Sequence, residues 1–300
     1  MTDLHLTPDP APPGFTWPGG KTLAFSLVVN VEEGAERSIL KGDKAPEPVD
    51  ELMPPLKAPI RVHGNESSYR YGINRGAPRV LERLERHGIP ATWTVCAEAL
   101  ERAPWLGEAI AGRIKDRGDE PANHGYRWLF TFNMSPEDER AFVDKGTKSI
   151  AKSCGREPVG YLSRYLHTDS LRATLADLGY LYHMDDYSDD FPRWEVTDKG
   201  PIVVLPYAVD SNDMKFWLSP AFTTDQWVDY AKRTFDMLRA ESKTHGARMM
   251  SLGLHLRIIG RPGRIGALDE VLEYVTSFDD VWIATREDIA RAFAEQVARP

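Results

Sequence analysis

Six short clusters in this 300-residue chain carry side chains able to do chemistry. Asn30, Glu32 and Glu33 end an apolar, β-branched run over residues 21–31. His124 opens His-Gly-Tyr-Arg-Trp128 directly after residues 119–123. Ser163, Arg164 and Tyr165 follow 158–162, Asp185 and Asp186 follow 180–184, and Asp210, Asn212 and Asp213 follow 202–206. His255 and Arg257 close the run that starts at 249. A carboxylate beside an imidazole can take a proton from water and pass one to a leaving group. Guanidinium and hydroxyl groups can polarise a carbonyl and hold the polar edges of a small substrate.

Each cluster follows a segment that reads as a buried strand. Strands are expected at 21–31, 91–96, 119–123, 158–162, 180–184, 202–206, 249–256 and 281–284, from short β-branched or apolar runs. Helices are expected at 74–88, 104–115, 135–152, 169–178, 223–242 and 267–276, with a last one opening at 285. Ser135, Thr223 and Thr285 each stand three residues before an Asp or Gln, which is the capping-box spacing. About seven strand–helix units make a closed or nearly closed α/β barrel of distorted (β/α)7 type, expected as one domain over 1–300. In such barrels the reacting residues lie on the loops after the C-terminal ends of the strands, where all six clusters fall. Residues 1–20, rich in Pro and Gly, read as an irregular arm over the surface. Residues 34–63 are polar and proline-containing, and an irregular segment of that length is expected to serve function or assembly.

Bulk properties exclude several classes. The net charge of −8 comes with no basic run, so nucleic acid and anionic membrane are not expected as partners. No stretch approaches the ~20 apolar residues of a membrane span. The opening MTDLHLTPDPAPPGF lacks the basic and apolar regions of a secretory leader. Two widely separated cysteines, Cys96 and Cys154, fit a reducing compartment. The expected location is the cytoplasm.

Three motifs carry a family resemblance: Asn30-Val-Glu-Glu-Gly34, His124-Gly-Tyr-Arg-Trp128, and Leu254-His-Leu-Arg-Ile-Ile-Gly-Arg-Pro-Gly-Arg264. They resemble the NodB-homology polysaccharide deacetylase superfamily, and within it the metal-independent, PuuE-like allantoinase and cyclic-imide hydrolase branch. Glu66-Ser-Ser-Tyr-Arg-Tyr-Gly72 and Tyr187-Ser-Asp-Asp-Phe-Pro-Arg-Trp194 add to the likeness. The resemblance implies the barrel, hydrolysis of an amide-type C–N bond, and a homo-oligomer, dimer or tetramer. Ordinary members bind a divalent metal through an Asp after the first strand and a His-x-x-x-His pair. Glu32 stands at that Asp, Asn30 at the neighbouring catalytic Asp, and Trp128 at the second histidine. The resemblance therefore implies no tightly bound metal, and an indole wall against which a flat ring can pack. The loops at 163–167 and 183–186 differ from the allantoinase pattern and leave the identity of the ring open.

The expected reaction is opening of a cyclic amide, ureide or imide. His124 and His255 flank the carbonyl, one polarising it and the other protonating the leaving nitrogen, while Glu32 or Glu33 activates water. Asn30, Glu66, Trp128, Arg164, Tyr165, Asp185 and Arg257 are expected to bind the small polar cyclic substrate. One alternative is a metal-dependent N-deacetylase of a carbohydrate or small amide, with a weakly held zinc at Glu32 and His124. A second is a barrel that binds without catalysing. His5, His63, His87 and His245 sit in polar contexts and read as inert.

Overall fold

The computed structural model of the protein describes residues 11–48 and 58–300. His5, with residues 1–10 of the arm, and residues 49–57 of the irregular segment lie outside the described residues.

In chain order the elements are β1 (Leu23–Val31), α1 (His63–Tyr71), a π-turn (Gly72–Gly76), α2 (Ala77–His87), β2 (Thr92–Val95), α3 (Ala97–Arg102) and α4 (Pro104–Arg117). Then come β3 (Glu120–Asn123), α5 (Pro136–Cys154), β4 (Gly160–Tyr161), α6 (Leu171–Asp177), β5 (Tyr182–His183), β6 (Arg193–Thr197) and β7 (Gly200–Val204). A 3-10 turn (Asp213–Phe216), α7 (Thr224–Ser242), β8 (Arg248–His255), α8 (Leu256–Ile259), α9 (Ile265–Thr276), β9 (Val281–Ile283) and α10 (Arg286–Gln296) complete the chain.

The strands form one curled sheet, a half-barrel in the order β6-β7-β5-β4-β3-β2-β1-β8. Every pair is parallel except the β6–β7 hairpin. β1 is the hub. It pairs with β8 along residues 23–30, so β9 (at 23–25) and β2 (at 28–31) share its other edge.

Period-two alternation along the strands sorts the side chains. On β1, Leu23, Phe25, Leu27, Val29 and Val31 pack into the apolar core beneath α2, α7 and α9. The opposite face carries Ala24, Ser26, Val28 and Asn30, all buried, and leads to Glu32. β8 behaves alike: Met250, Leu252 and Leu254 join the core, while Ser251, Gly253 and His255 face inward. Each fully buried side chain of the outer face stabilises the fold by ~1.5–3 kcal/mol.

The three expected caps are formed. Ser135 Oγ accepts from Asp138 N, and Thr223 and Thr285 form full capping boxes with Gln226 and Asp288. The strict strand–helix alternation breaks at the β6–β7 hairpin: β7 is the strand expected at 202–206, and β6 lies where no strand is expected. α1 is also absent from the sequence reading, because its buried side chains are Asn65, Ser68 and Tyr69 and give no apolar periodicity. The arm, over 11–20, is anchored by its aromatic residues. Trp17 is 1% exposed, stacks on Trp282 and donates from its indole to Arg248 O, which seals the end of the barrel where β1 and β8 begin.

Candidate active site

At the other end, where β1, β3 and β8 finish, a cavity of about 210 Å³ is lined by Asn30, Glu32, His124, Trp128, Arg164, Tyr165 and His255 among others. Seven of the expected site residues are thus brought together. Glu32, 1% exposed, is the centre of the charge pattern. Its Oε1 lies 3.4 Å from His124 Nε2 and 3.4 Å from His255 Nε2, and its Oε2 accepts from Arg257 at 2.7 Å. Burial alone would raise this carboxyl, but the Arg257 and His255 charges outweigh it and hold Glu32 well below the usual carboxylate range.

The two imidazoles are held differently. His124 Nδ1 lies 2.6 Å from Leu162 O, a contact that requires a proton on Nδ1. In the neutral ring its Nε2 is then a lone pair turned to Glu32. His255 Nδ1 lies 2.7 Å from Asp213 Oδ1. Burial works against the imidazolium, yet the Glu32 and Asp213 carboxylates on either side push His255 up to about 9. Around neutral pH His255 is therefore a cation between two anions, and Arg257 balances the remaining charge.

The other expected residues fall into three groups. Trp128, 2% exposed, walls the cavity, with the Arg164 guanidinium 3.7 Å from its ring centroid and that of Arg257 at 5.3 Å. Arg164 reaches the cavity edge but is committed elsewhere: it forms a buried ion pair with Glu47, donates to Trp128 O and packs on Phe130. Tyr165, held at φ 50°, stands half-exposed at the mouth.

Asp185 and Arg257 lie behind the lining. Asp185 accepts from the backbone N (2.6 Å) and hydroxyl (2.5 Å) of Ser163 and contacts His183, so it shapes the loop at 163–165. The sequence reading continues the last inward strand to residue 256, with Arg257 facing the same way as His255. The strand instead ends at His255, and the helical turn α8 swings Arg257 beneath Glu32.

Glu33 and Glu66 are not at the cavity. Both line a separate cleft with Arg61, Arg70 and Arg102, and Glu66 is paired with Arg61. The reason is strand alternation, which turns Glu33 away from the face of Asn30 and Glu32. Glu33 accepts from Glu32 N (3.1 Å) and Arg257 N (2.9 Å) and is pushed up to about 7, by burial first and then by Glu32, against the pull of Arg257.

Sequence reading placed Asp213 on the rim without giving it a role. It is fully buried, and its Oδ2 accepts from His255 N and Ile259 N at 2.7 and 3.1 Å. Tyr187 and Tyr207 also line the cavity. A wider groove of about 650 Å³ shares those two tyrosines and Val209 with it.

The donor set does not fit a divalent cation. Glu32 is already paired with the Arg257 guanidinium, whose charge would repel a second cation, and His255 is tied to Asp213 through its other nitrogen. Trp128 offers no lone pair, and among the described residues no three His, Cys, Asp or Glu side chains are grouped to hold a metal.

Comparison with known proteins agrees with this architecture. The polysaccharide deacetylase family profile matches residues 68–183. A Schizosaccharomyces pombe protein assigned to the polysaccharide deacetylases is 34% identical over 93% of this chain and 92% of its own. Two solved structures superpose with a TM-score of 0.86 over 93% of both chains: a probable polysaccharide deacetylase of Pseudomonas aeruginosa PAO1, 37% identical, and PuuE allantoinase, 36% identical. The chain belongs to the polysaccharide deacetylase family. Deacetylases and allantoinases hydrolyse amide C–N bonds, and this protein is a hydrolase of that class. No helix among the described residues is long and apolar enough to cross a membrane.

Proposed function

We propose that the protein opens a small cyclic amide, ureide or imide by proton transfer among Glu32, His124 and His255, without a tightly bound metal. The observation that carries this reading is the sharing of one Glu32 oxygen by two imidazoles beside an indole wall. Water held between Glu32 Oε1 and the lone pair of His124 Nε2 attacks the ring carbonyl and gives up its proton to that pair. The C–N bond then breaks, and the His255 imidazolium delivers its Nε2 proton to the leaving nitrogen. Such assistance is worth ~10²–10⁴-fold for each group. Trp128 packs against the ring face, and Arg257 keeps Glu32 ionised and oriented.

A divalent ion at such a site would supply Lewis-acid polarisation of the carbonyl, worth several kcal/mol. A site that works without one favours a carbonyl that is already activated, as in an imide or hydantoin-like ring. The size of the cavity points the same way, since ~300–1,000 Å³ is usual for drug-sized ligands. The kinship with PuuE allantoinase supports ring opening, and the kinship with deacetylases supports amide hydrolysis in general. The adjoining groove favours a second reading, hydrolysis of an N-acetylated carbohydrate extending along it.

The test is turnover by chelator-treated protein on a panel of cyclic imides, hydantoins and allantoin beside N-acetylglucosamine oligomers. Ring opening that survives chelation supports the proposal. Deacetylation of the oligomers with no ring opening sinks it. We further propose a cytoplasmic homo-oligomer, to be checked by fractionation and light scattering.

A further inference from the structure

The floor of the cavity holds one group that this proton inventory does not use. Tyr207 is 6% exposed and lines the cavity with Asn30 and Asn212. Its phenol oxygen accepts two hydrogen bonds, from Asn30 Nδ2 at 3.2 Å and from Asn212 Nδ2 at 3.1 Å. Neither amide can turn over. Asn30 Oδ1 accepts the Thr94 hydroxyl at 2.7 Å while its Nδ2 also donates to Leu254 O at 3.0 Å. Asn212 Oδ1 accepts Met214 N at 2.9 Å, so its Nδ2 must face the phenol. Both neighbours present donors, so neither can receive the phenol's own proton.

The phenol also stands at the right level. Asn30 pairs in register with His255 and shares an inward face with Glu32. Gly253, one inward step below His255, lies so close that a Cβ there would come within 2.1 Å of the Tyr207 oxygen. Burial, which raises the phenol, leaves it protonated at neutral pH.

We propose that Tyr207 is a further catalytic residue, whose hydroxyl proton is aimed into the cavity by Asn30 and Asn212 to stabilise the oxyanion formed on the substrate carbonyl. As water attacks, the π electrons of the C=O bond move to oxygen, and Tyr207 donates a hydrogen bond to that oxygen without transferring its proton. When the C–N bond breaks, the electron pair returns to re-form the carbonyl, and the hydrogen bond relaxes. Two fixed amide donors also polarise the phenol and strengthen its donation. Asn30 thereby has a defined purpose, since an acceptor at this position would draw the phenol proton away from the substrate. The inference rests on amide hydrolysis at this site and not on the substrate being a ring.

The test compares Tyr207→Phe and Asn212→Asp with wild type on whichever amide the wild-type enzyme cleaves best. Loss of one oxyanion donor typically lowers kcat by ~10²–10³-fold. Tyr207→Phe is expected to lose at least ~10²-fold in kcat with KM within about threefold. Asn212→Asp keeps the acceptor for Met214 N and replaces the donor to the phenol by an acceptor, so it should turn the proton away and lose a comparable factor. In the double variant the Asp has no phenol to act on, and its effect should vanish. Additive losses, or a lower melting temperature with kcat unchanged in Tyr207→Phe, overturn the role. Neutron diffraction on the deuterated wild-type protein gives a readout independent of substrate. A deuteron on Tyr207 Oη directed into the cavity supports the inference, and one directed at Asn30 or Asn212 overturns it. Failure of all cyclic substrates with retention of a Tyr207→Phe defect on another amide would remove the ring reading and leave this one standing.

Discussion

Asp213 Oδ1 lies 2.7 Å from His255 Nδ1, while its other oxygen takes the backbone N–H groups of His255 and Ile259. The carboxylate fixes both the ring and the turn that follows it, and with Glu32 it keeps the ring charged. Because His255 is raised from 6.5 to about 9, its contribution to stability is fully present below about 6.5 and is lost as pH rises through about 9. Activity that needs the imidazolium should fall over the same upper limb. In Asp213→Asn the two backbone donors retain the oxygen and leave the NH₂ facing His255 Nδ1. The ring is then held neutral with its remaining proton on Nε2, a far weaker acid than the imidazolium. Expected are a loss of ~10²–10⁴ in kcat and a fall in rate that begins at lower pH, read from pH–rate profiles.

The two adjacent glutamates should separate cleanly. Glu32→Gln removes the anion that both imidazoles face and should lower kcat by ~10²-fold or more. Glu33→Gln should leave kcat within a few-fold, because Glu33 faces the other cleft. Its cost is in folding: both oxygens accept backbone N–H groups, and an NH₂ against one of them costs about 1–3 kcal/mol. Glu33 is raised from 4.5 to about 7, so its stabilisation is present below 4.5 and lost as pH rises through about 7. The melting-temperature gap between wild type and Glu33→Gln should therefore narrow between pH 5 and 8.

Arg164 and Glu47 form a pair with almost no exposure on either side. Removing one partner strands the other charge and should cost about 3–5 kcal/mol. The double variant Arg164→Met/Glu47→Leu should lose less than the sum of the singles. Denaturant titration of the four proteins measures that coupling. Additive losses would show that the two charges do not stabilise each other.

A Cβ at Gly76 would lie 2.0 Å from Leu256 O, a backbone atom with nowhere to retreat. Gly76→Ala should abolish soluble folded protein or lower its melting temperature steeply. Gly263→Ala, which meets nothing within 4 Å, is the matched control and should be tolerated.

The parts of this fold that were legible in the sequence are those where a local rule and the tertiary structure agree. β1 and β8 read as strands because their outer faces are unbroken apolar runs, and the three caps read correctly because Ser or Thr three residues before Asp or Gln, at the head of an amphipathic run, satisfies N–H groups that a helix start leaves unpaired. The rim position of Glu32, His124 and His255 followed from their places at strand ends. Glu33 could have been separated from Glu32 by strand alternation alone, given Asn30 two residues earlier. Arg257 could not, because nothing local announces that a helical turn replaces the strand after His255. Asp213 gains its meaning from a histidine 42 residues away. Glu47 and Tyr207 likewise act through partners distant in sequence, at Arg164 and at Asn30.

The π-turn at Gly72–Gly76 has a consequence for the helix that carries it. A π-turn holds one residue more than an α-turn. That extra residue rotates everything before it by about 100° relative to everything after it. Before it stands Tyr69, whose ring lies 4.4 Å from the Arg257 guanidinium, and after it stands Gly76, pressed on the carbonyl of Leu256. Excising one residue between 72 and 76 would let only one of these two engage α8 at a time. The extra residue in this turn is thus what lets one helix grip the arginine-bearing turn from two sides.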